Sequence, residues 1–211
     1  MFRKFLNPDN ALMITMTQIT DCIFLSLFWL IGCIPVVTIG ASFAALYDAA
    51  FRGFRKGDKH CWSRFGQVYK TNWKAGILPT AVFLTVMSAL IKVLVALWNS
   101  AVAGGLPWMV FSGAAFVGVL VLGILSILFP MLSRFENPFP VLLKNTLFLG
   151  MANLPRTLAL GLLNAVTAML CAFYVLPLFF MPALAALIGS LFLEPMFKPF
   201  MPAETEEEDS P

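Results

Sequence analysis

At 211 residues, 60% of them hydrophobic and only 12% charged, with a mean hydropathy of +0.86, the chain carries too little polar cover for a soluble globule of its size. Its net charge of +3 is segregated: up to Lys198 there are 14 basic and 6 acidic residues, and then Glu204, Glu206, Glu207, Glu208 and Asp209 crowd the end. The chain is therefore read as an integral membrane protein with a basic body and a disordered acidic tail over residues 199–211.

Near the start, Arg3 and Lys4 resemble the basic region of a signal peptide, but Asp9 and polar residues follow and no A-x-A pattern ends the first apolar segment. That segment is expected to be retained. The apolar region 11–54 is broken around Gly32, Pro35 and Gly40. Pro35 removes a backbone donor and restricts the residue before it, and Thr38 is placed to cap a new helix, so spans are expected over about 11–34 and 40–54 with a turn between them.

From Arg52 to Lys74 the chain holds seven basic residues against one acid, Asp58. Within it Trp62, Phe65, Tyr69 and Trp73 recur at helical spacing among Arg64, Lys70 and Lys74. This predicts an amphipathic helix in the headgroup region, aromatics inward and basic residues toward anionic lipid. Nucleic acid is the poorer reading of these charges, because the aromatics alternate with them beside membrane spans.

Between Lys92 and Arg134 lie 41 uncharged residues, and between Arg156 and Glu194 lie 37. A span needs about 20 apolar residues, so each run must fold back as a helical hairpin. The first is expected to comprise spans over about 76–98 and 108–132, closed at Gly104, Gly105 and Pro107. The second comprises about 157–176 and 180–197, closed at Pro177 and Pro182. Between the hairpins, Val141, Leu142, Leu143, Leu147, Phe148 and Met151 surround Lys144 in a second amphipathic stretch. Both amphipathic stretches lead into a Leu-Pro element, Leu78-Pro79-Thr80 and Leu154-Pro155-Arg156-Thr157, which suggests a weak internal repeat.

The fold expected is an all-α polytopic transmembrane bundle, a single domain over residues 1–198, with six spans favoured over five and interfacial helices on the cytoplasmic side. By the positive-inside rule the N-terminus, the basic loop, the segment 134–156 and the C-terminus are cytoplasmic. The five-span alternative makes 21–38 one span, leaves 41–54 at the cytoplasmic surface and puts the N-terminus outside.

Ionisable residues inside a span cost about 2.5–3.5 kcal/mol each on insertion scales and ask for partners. Asp21, Asp48 and Arg52 stand out. Ala41, Ala45, Ala49 and Gly53 recur every four residues, giving a flank narrow enough for close helix approach, and Asp48 and Arg52 fall on it. A hairpin turning near Pro35 to Gly40 brings Asp21 and Arg52 to similar depth, so the three are expected to form a structural network rather than a relay. Lys92 is expected to snorkel from the outer end of its span.

Catalytic patterns are poor. Tyr47-Asp48 matches half of the aspartyl intramembrane protease motif, but no Gly-x-Gly-Asp partner occurs; His60 is the only histidine, and no Gly-x-Ser-x-Gly or His-Glu-x-x-His element occurs. Cys22, Cys33, Cys61 and Cys171 show no CxxC and no zinc spacing. The chain is read as non-enzymatic, with no cofactor or metal.

The segments Phe5-Leu6-Asn7, Asp21, Leu27-Phe28-Trp29-Leu30, Ile34-Pro35-Val36-Val37-Thr38-Ile39-Gly40-Ala41 and Ala44-Ala45-Leu46-Tyr47 resemble the N-terminal signature of the YesL-like family of bacterial integral membrane proteins. The resemblance continues through Phe65 to Trp73, Arg134-Phe135-Glu136-Asn137, Lys144-Asn145-Thr146 and Asn153-Leu154-Pro155-Arg156-Thr157. Many relatives have proline where this chain has Ala41. The resemblance implies a multi-pass protein of the bacterial plasma membrane, associated with carbohydrate uptake and accessory to an ABC-type sugar transporter. It carries no catalytic residues over. Self-association, and a small transporter or channel in its own right, are the alternatives.

Overall fold

The computed structural model describes residues 11–55, 60–105, 107–135 and 137–200. Arg3, Lys4 and the acidic run 204–209 lie outside the described residues. Among those described the chain is all-α: α1 (Ala11–Cys33), α2 (Ile39–Ala50), α3 (Cys61–Asn72), α4 (Ile77–Val102), α5 (Trp108–Arg134), α6 (Phe139–Ala152), α7 (Leu154–Phe173) and α8 (Met181–Phe197). Five of them, α1, α4, α5, α7 and α8 with its following turn, are long and apolar enough to cross a membrane.

The expected sixth span, 40–54, is corrected. α2 has 12 residues and closes in a π-helical turn over Phe51–Arg55, so it rises only about 18 Å before the turn, against a hydrocarbon core of about 30 Å. Its start is fixed by contacts with the helix that follows. The Gly40 N–H donates to Thr80 Oγ1 at 2.9 Å, and a Cβ on Gly76 would meet the Ala41 nitrogen at 3.0 Å. The start of α2 therefore lies against the head of α4. α3 runs back antiparallel along α2, with Arg64 at Asp48 and Tyr69 beside Gly32 and Ser42. Together α2 and α3 form an antiparallel pair packed beside α1, where Cys22 and Leu25 cluster with Ala45 and Ala49. Gly40 to Phe51 is buried all round except at Phe43, so α2 is a core helix and its alanines serve protein packing rather than lipid.

The two hairpins form as expected from the uncharged runs. Trp98 and Trp108 meet edge to face at 5.6 Å beside the α4–α5 turn, where Gly104 takes φ +75°. α7 crosses α5 at closest approach. A Cβ on Gly123 would overlap the Thr157 carbonyl oxygen, and one on Gly161 would overlap the Val119 carbonyl oxygen. α6 runs back along α5, burying Leu142 and Leu149 against Leu128 and Met131 while Leu147, Phe148 and Met151 stay exposed.

Both Leu-Pro elements are built alike. Proline occupies the first turn, where no intrahelical N–H is needed. Thr80 donates to the Gly76 carbonyl and packs on Gly40 of α2; Thr157 donates to the Asn153 and Gly150 carbonyls and packs on Gly123 of α5.

Candidate functional site

The small flank of α2 faces inward, with Ala41, Ala45 and Ala49 fully buried, and this carries Asp48 to a position only 2% exposed. Asp48 is bound from two sides. Arg52 Nε, one turn on, lies 3.3 Å from Oδ1, and Arg64 Nε, from α3, lies 2.9 Å from Oδ2. Of the expected triad, Asp48 and Arg52 come together. Asp21 stands apart, its Oδ1 accepting the Trp62 indole N–H at 3.0 Å. The reason is α3: its Arg64 takes the second Asp48 oxygen and its Trp62 reaches α1.

On α3 itself, Cys61 and Phe65 are buried, and the partly exposed Arg64 pairs with Asp48. Tyr69 is half-buried and stacks on Phe65 at 6.2 Å. Trp62, Lys70, Trp73 and Lys74 remain exposed, with Lys74 Nζ 5.3 Å from the Trp73 ring.

A second buried ion pair was not anticipated from the sequence. Glu194 Oε1, on α8, accepts from Arg134 Nη2 at 2.7 Å and from Tyr47 Oη at 2.8 Å. Tyr47 precedes Asp48, so α2 joins both charged clusters. Arg134 Cζ also sits 4.4 Å over the Phe51 ring, and Arg55 Nη1 donates to the Ser190 carbonyl at 3.4 Å. Burial first, and then the Glu194 carboxylate, hold the Tyr47 phenol well above its ordinary value of 10.0, so it remains a hydrogen-bond donor. The signal was present: Arg134 and Glu194 are the residues that close the two uncharged runs. Hairpins opening to the same face bring those closing residues together.

Between the long helices lies a cavity of about 250 Å³, walled largely by Trp29, Phe43, Phe83, Phe129 and Leu193. Its polar lining includes Asn164, which donates to Ser126 Oγ across the α5–α7 crossing at 3.1 Å and to the Leu160 carbonyl at 2.9 Å.

The helix carrying Lys92 runs further past it than expected. α4 continues ten residues past it to Val102, about 15 Å of helix, and Lys92 is exposed on its outer face.

No curated protein and no solved structure matches the chain. A family model described as "Protein of unknown function, DUF624" matches residues 22–92, the stretch from within α1 to Lys92 that holds Asp48, Arg52 and Arg64.

Proposed function

We propose that this chain acts without catalysis, as an accessory or assembly partner of another membrane system. The paired state of its buried charges carries this reading. Asp48 has two arginine donors, and Glu194 has an arginine and a tyrosine. Charges so consumed hold α2, α3, α5 and α8 together and are poorly placed to relay protons or bind a passing solute. DUF624 is the family to which YesL-like proteins belong, and the match over residues 22–92 agrees with the motif resemblance. That resemblance supports carbohydrate uptake as the setting, an ABC-type sugar transporter as the associated system, and the bacterial plasma membrane as the location.

Purification from the native host in mild detergent tests the proposal. A second membrane polypeptide is expected at fixed stoichiometry. The rival, a small transporter, draws on the cavity of about 250 Å³ and predicts instead that the chain purifies alone or with copies of itself.

Five crossings put the two termini on opposite faces, with the basic loop and C-terminus cytoplasmic by the positive-inside rule. Cys61 is buried, so the loop is better reported by Ser63→Cys on the exposed side of α3. Phe2→Cys is expected to react with an impermeant maleimide in intact cells, whereas Ser63→Cys and Ser210→Cys need a permeant one. Protection of Phe2→Cys would restore an even number of crossings.

A further inference from the structure

The cavity among the long helices is a slot. Its lining runs from Leu160 to Cys171 on α7 and from Leu193 back to Pro182 on α8, which at the rise of a helix gives it a length of about 16 Å. A volume of about 250 Å³ over that length corresponds to a mean section of about 16 Å², width for one unbranched hydrocarbon chain. Tyr47, Leu160 and Leu193 close one end and are buried. At the other end, toward the α7–α8 turn, Ala168 is exposed and Cys171 and Leu178 are half-buried, so the slot opens there to the surface of the bundle.

The walls are nearly all apolar. Trp29 meets Phe43 at 5.2 Å, Phe43 meets Phe129 at 5.3 Å and Phe129 meets Phe83 at 5.2 Å, an aromatic wall contributed by α1, α2, α4 and α5. No charged side chain lines the slot among the described residues. The hydroxyls of Ser126 and Thr167 donate to carbonyls of their own helices, Leu122 at 2.7 Å and Leu163 at 2.8 Å. Two polar groups in the lining are left without a partner among the described residues. The Asn164 amide donates to Ser126 and to the Leu160 carbonyl, while its Oδ1 accepts nothing. The indole Nε1 of Trp29 is buried and finds no acceptor.

A hydroxyl answers both, since it donates to an amide oxygen and accepts from an indole N–H. Water alone does not account for the space: one water takes about 30 Å³ of liquid, which leaves most of the slot to hydrocarbon. A sugar, with a hydroxyl on nearly every carbon, finds too few partners, and a fatty acid finds no cation. We propose that the slot binds an uncharged single-chain lipid, an unbranched hydrocarbon carrying one hydroxyl, with its oxygen directed to Asn164 and Trp29 and its chain along the aromatic wall. Such a site has the usual build of an apolar pocket oriented by a few polar groups.

The probes are three chains of about twelve carbons, a length that an extended chain needs to fill the slot. Each carries a mid-chain diazirine, and they differ in ending as an alcohol, an alkane or a carboxylic acid. They are photolysed with the full chain in phosphatidylcholine vesicles, and the adducts are mapped by peptide mass spectrometry. The alcohol is expected to label Met87, Leu160 and Leu193 saturably, with competition by unlabelled 1-dodecanol; the alkane and the acid should reach only exposed residues such as Val93 and Phe116, without saturation. Asn164→Leu should weaken the alcohol's saturable labelling about tenfold and leave that of Val93 and Phe116 unchanged. Because Asn164→Leu also removes the bond to Ser126, Ala168→Phe provides a second variant: it sits at the exposed mouth, should fold normally, and should block the alcohol from Leu160 and Leu193. Saturable labelling by the alkane or the acid equal to that by the alcohol, alcohol labelling that survives both variants, or no saturable labelling at all overturns the proposal. Copurification of a polypeptide is not read in this experiment, so the assembly reading stands or falls separately.

Discussion

Arg134→Leu is expected to destabilise the protein by about 3–5 kcal/mol, because it strands a buried carboxylate. Glu194 is 12% exposed and Arg134 only 5%, and the Tyr47 hydroxyl alone would remain to hold the charge. Glu194→Leu should hurt comparably, since it removes the carboxylate that meets the buried Arg134 guanidinium at 2.7 Å. The combined change Arg134→Leu with Glu194→Leu should recover most of the loss, because an ion pair replaced by apolar groups of similar volume is close to neutral. Asp48 behaves differently. Its two arginines are 21% and 35% exposed, so Arg52→Leu leaves Arg64 in place and should cost less than Arg134→Leu. Thermal unfolding in detergent, read by loss of folded monomer, checks the order. Additive damage in the Arg134/Glu194 double variant would show that the two do not act as a pair.

Gly161→Ala is expected to be the most damaging of the small substitutions. Its new methyl would run into the Val119 carbonyl, a backbone atom with no rotamer to yield, and Gly123→Ala meets the Thr157 carbonyl in the same way. Forcing α5 and α7 apart should cost about 1–3 kcal/mol, as overpacking does, and should lengthen the Asn164–Ser126 hydrogen bond across the same crossing. Gly113 provides the control. It lies on α5, where an added methyl would find nothing within 4 Å, and Gly113→Ala should be neutral or slightly stabilising through helix propensity. Equal effects at Gly113 and Gly161 would mean that the close crossing is not what holds the two hairpins together.

Most of the helices could be read from the sequence because hydrocarbon imposes a length and an absence of charge that a linear chain displays openly. The hairpins at Gly104 and Pro177 followed from those rules. The segment 40–54 did not, since its composition suits a lipid-spanning helix and a fully enclosed one equally well. What distinguishes them is a long-range contact, Gly40 on Thr80, that no local pattern announces. Asp48 was recognisable from its position on the alanine flank. Asp21 takes a different partner from the one expected because matching depths along two helices takes no account of a third helix lying against both, and α3 supplies both Arg64 and Trp62 there. Arg134 and Glu194 were in plain view as the ends of uncharged runs, and pairing them needed only the further step that charges at one membrane face seek each other.

The central claim is that the buried charges are a structural lock rather than the place where a partner binds. It is tested most directly by purifying the Arg134→Leu/Glu194→Leu double variant from the native host under the conditions used for the wild type. The variant is predicted to keep the same copurifying polypeptide at the same stoichiometry. A variant that folds as stably as the wild type yet loses that polypeptide would contradict the claim.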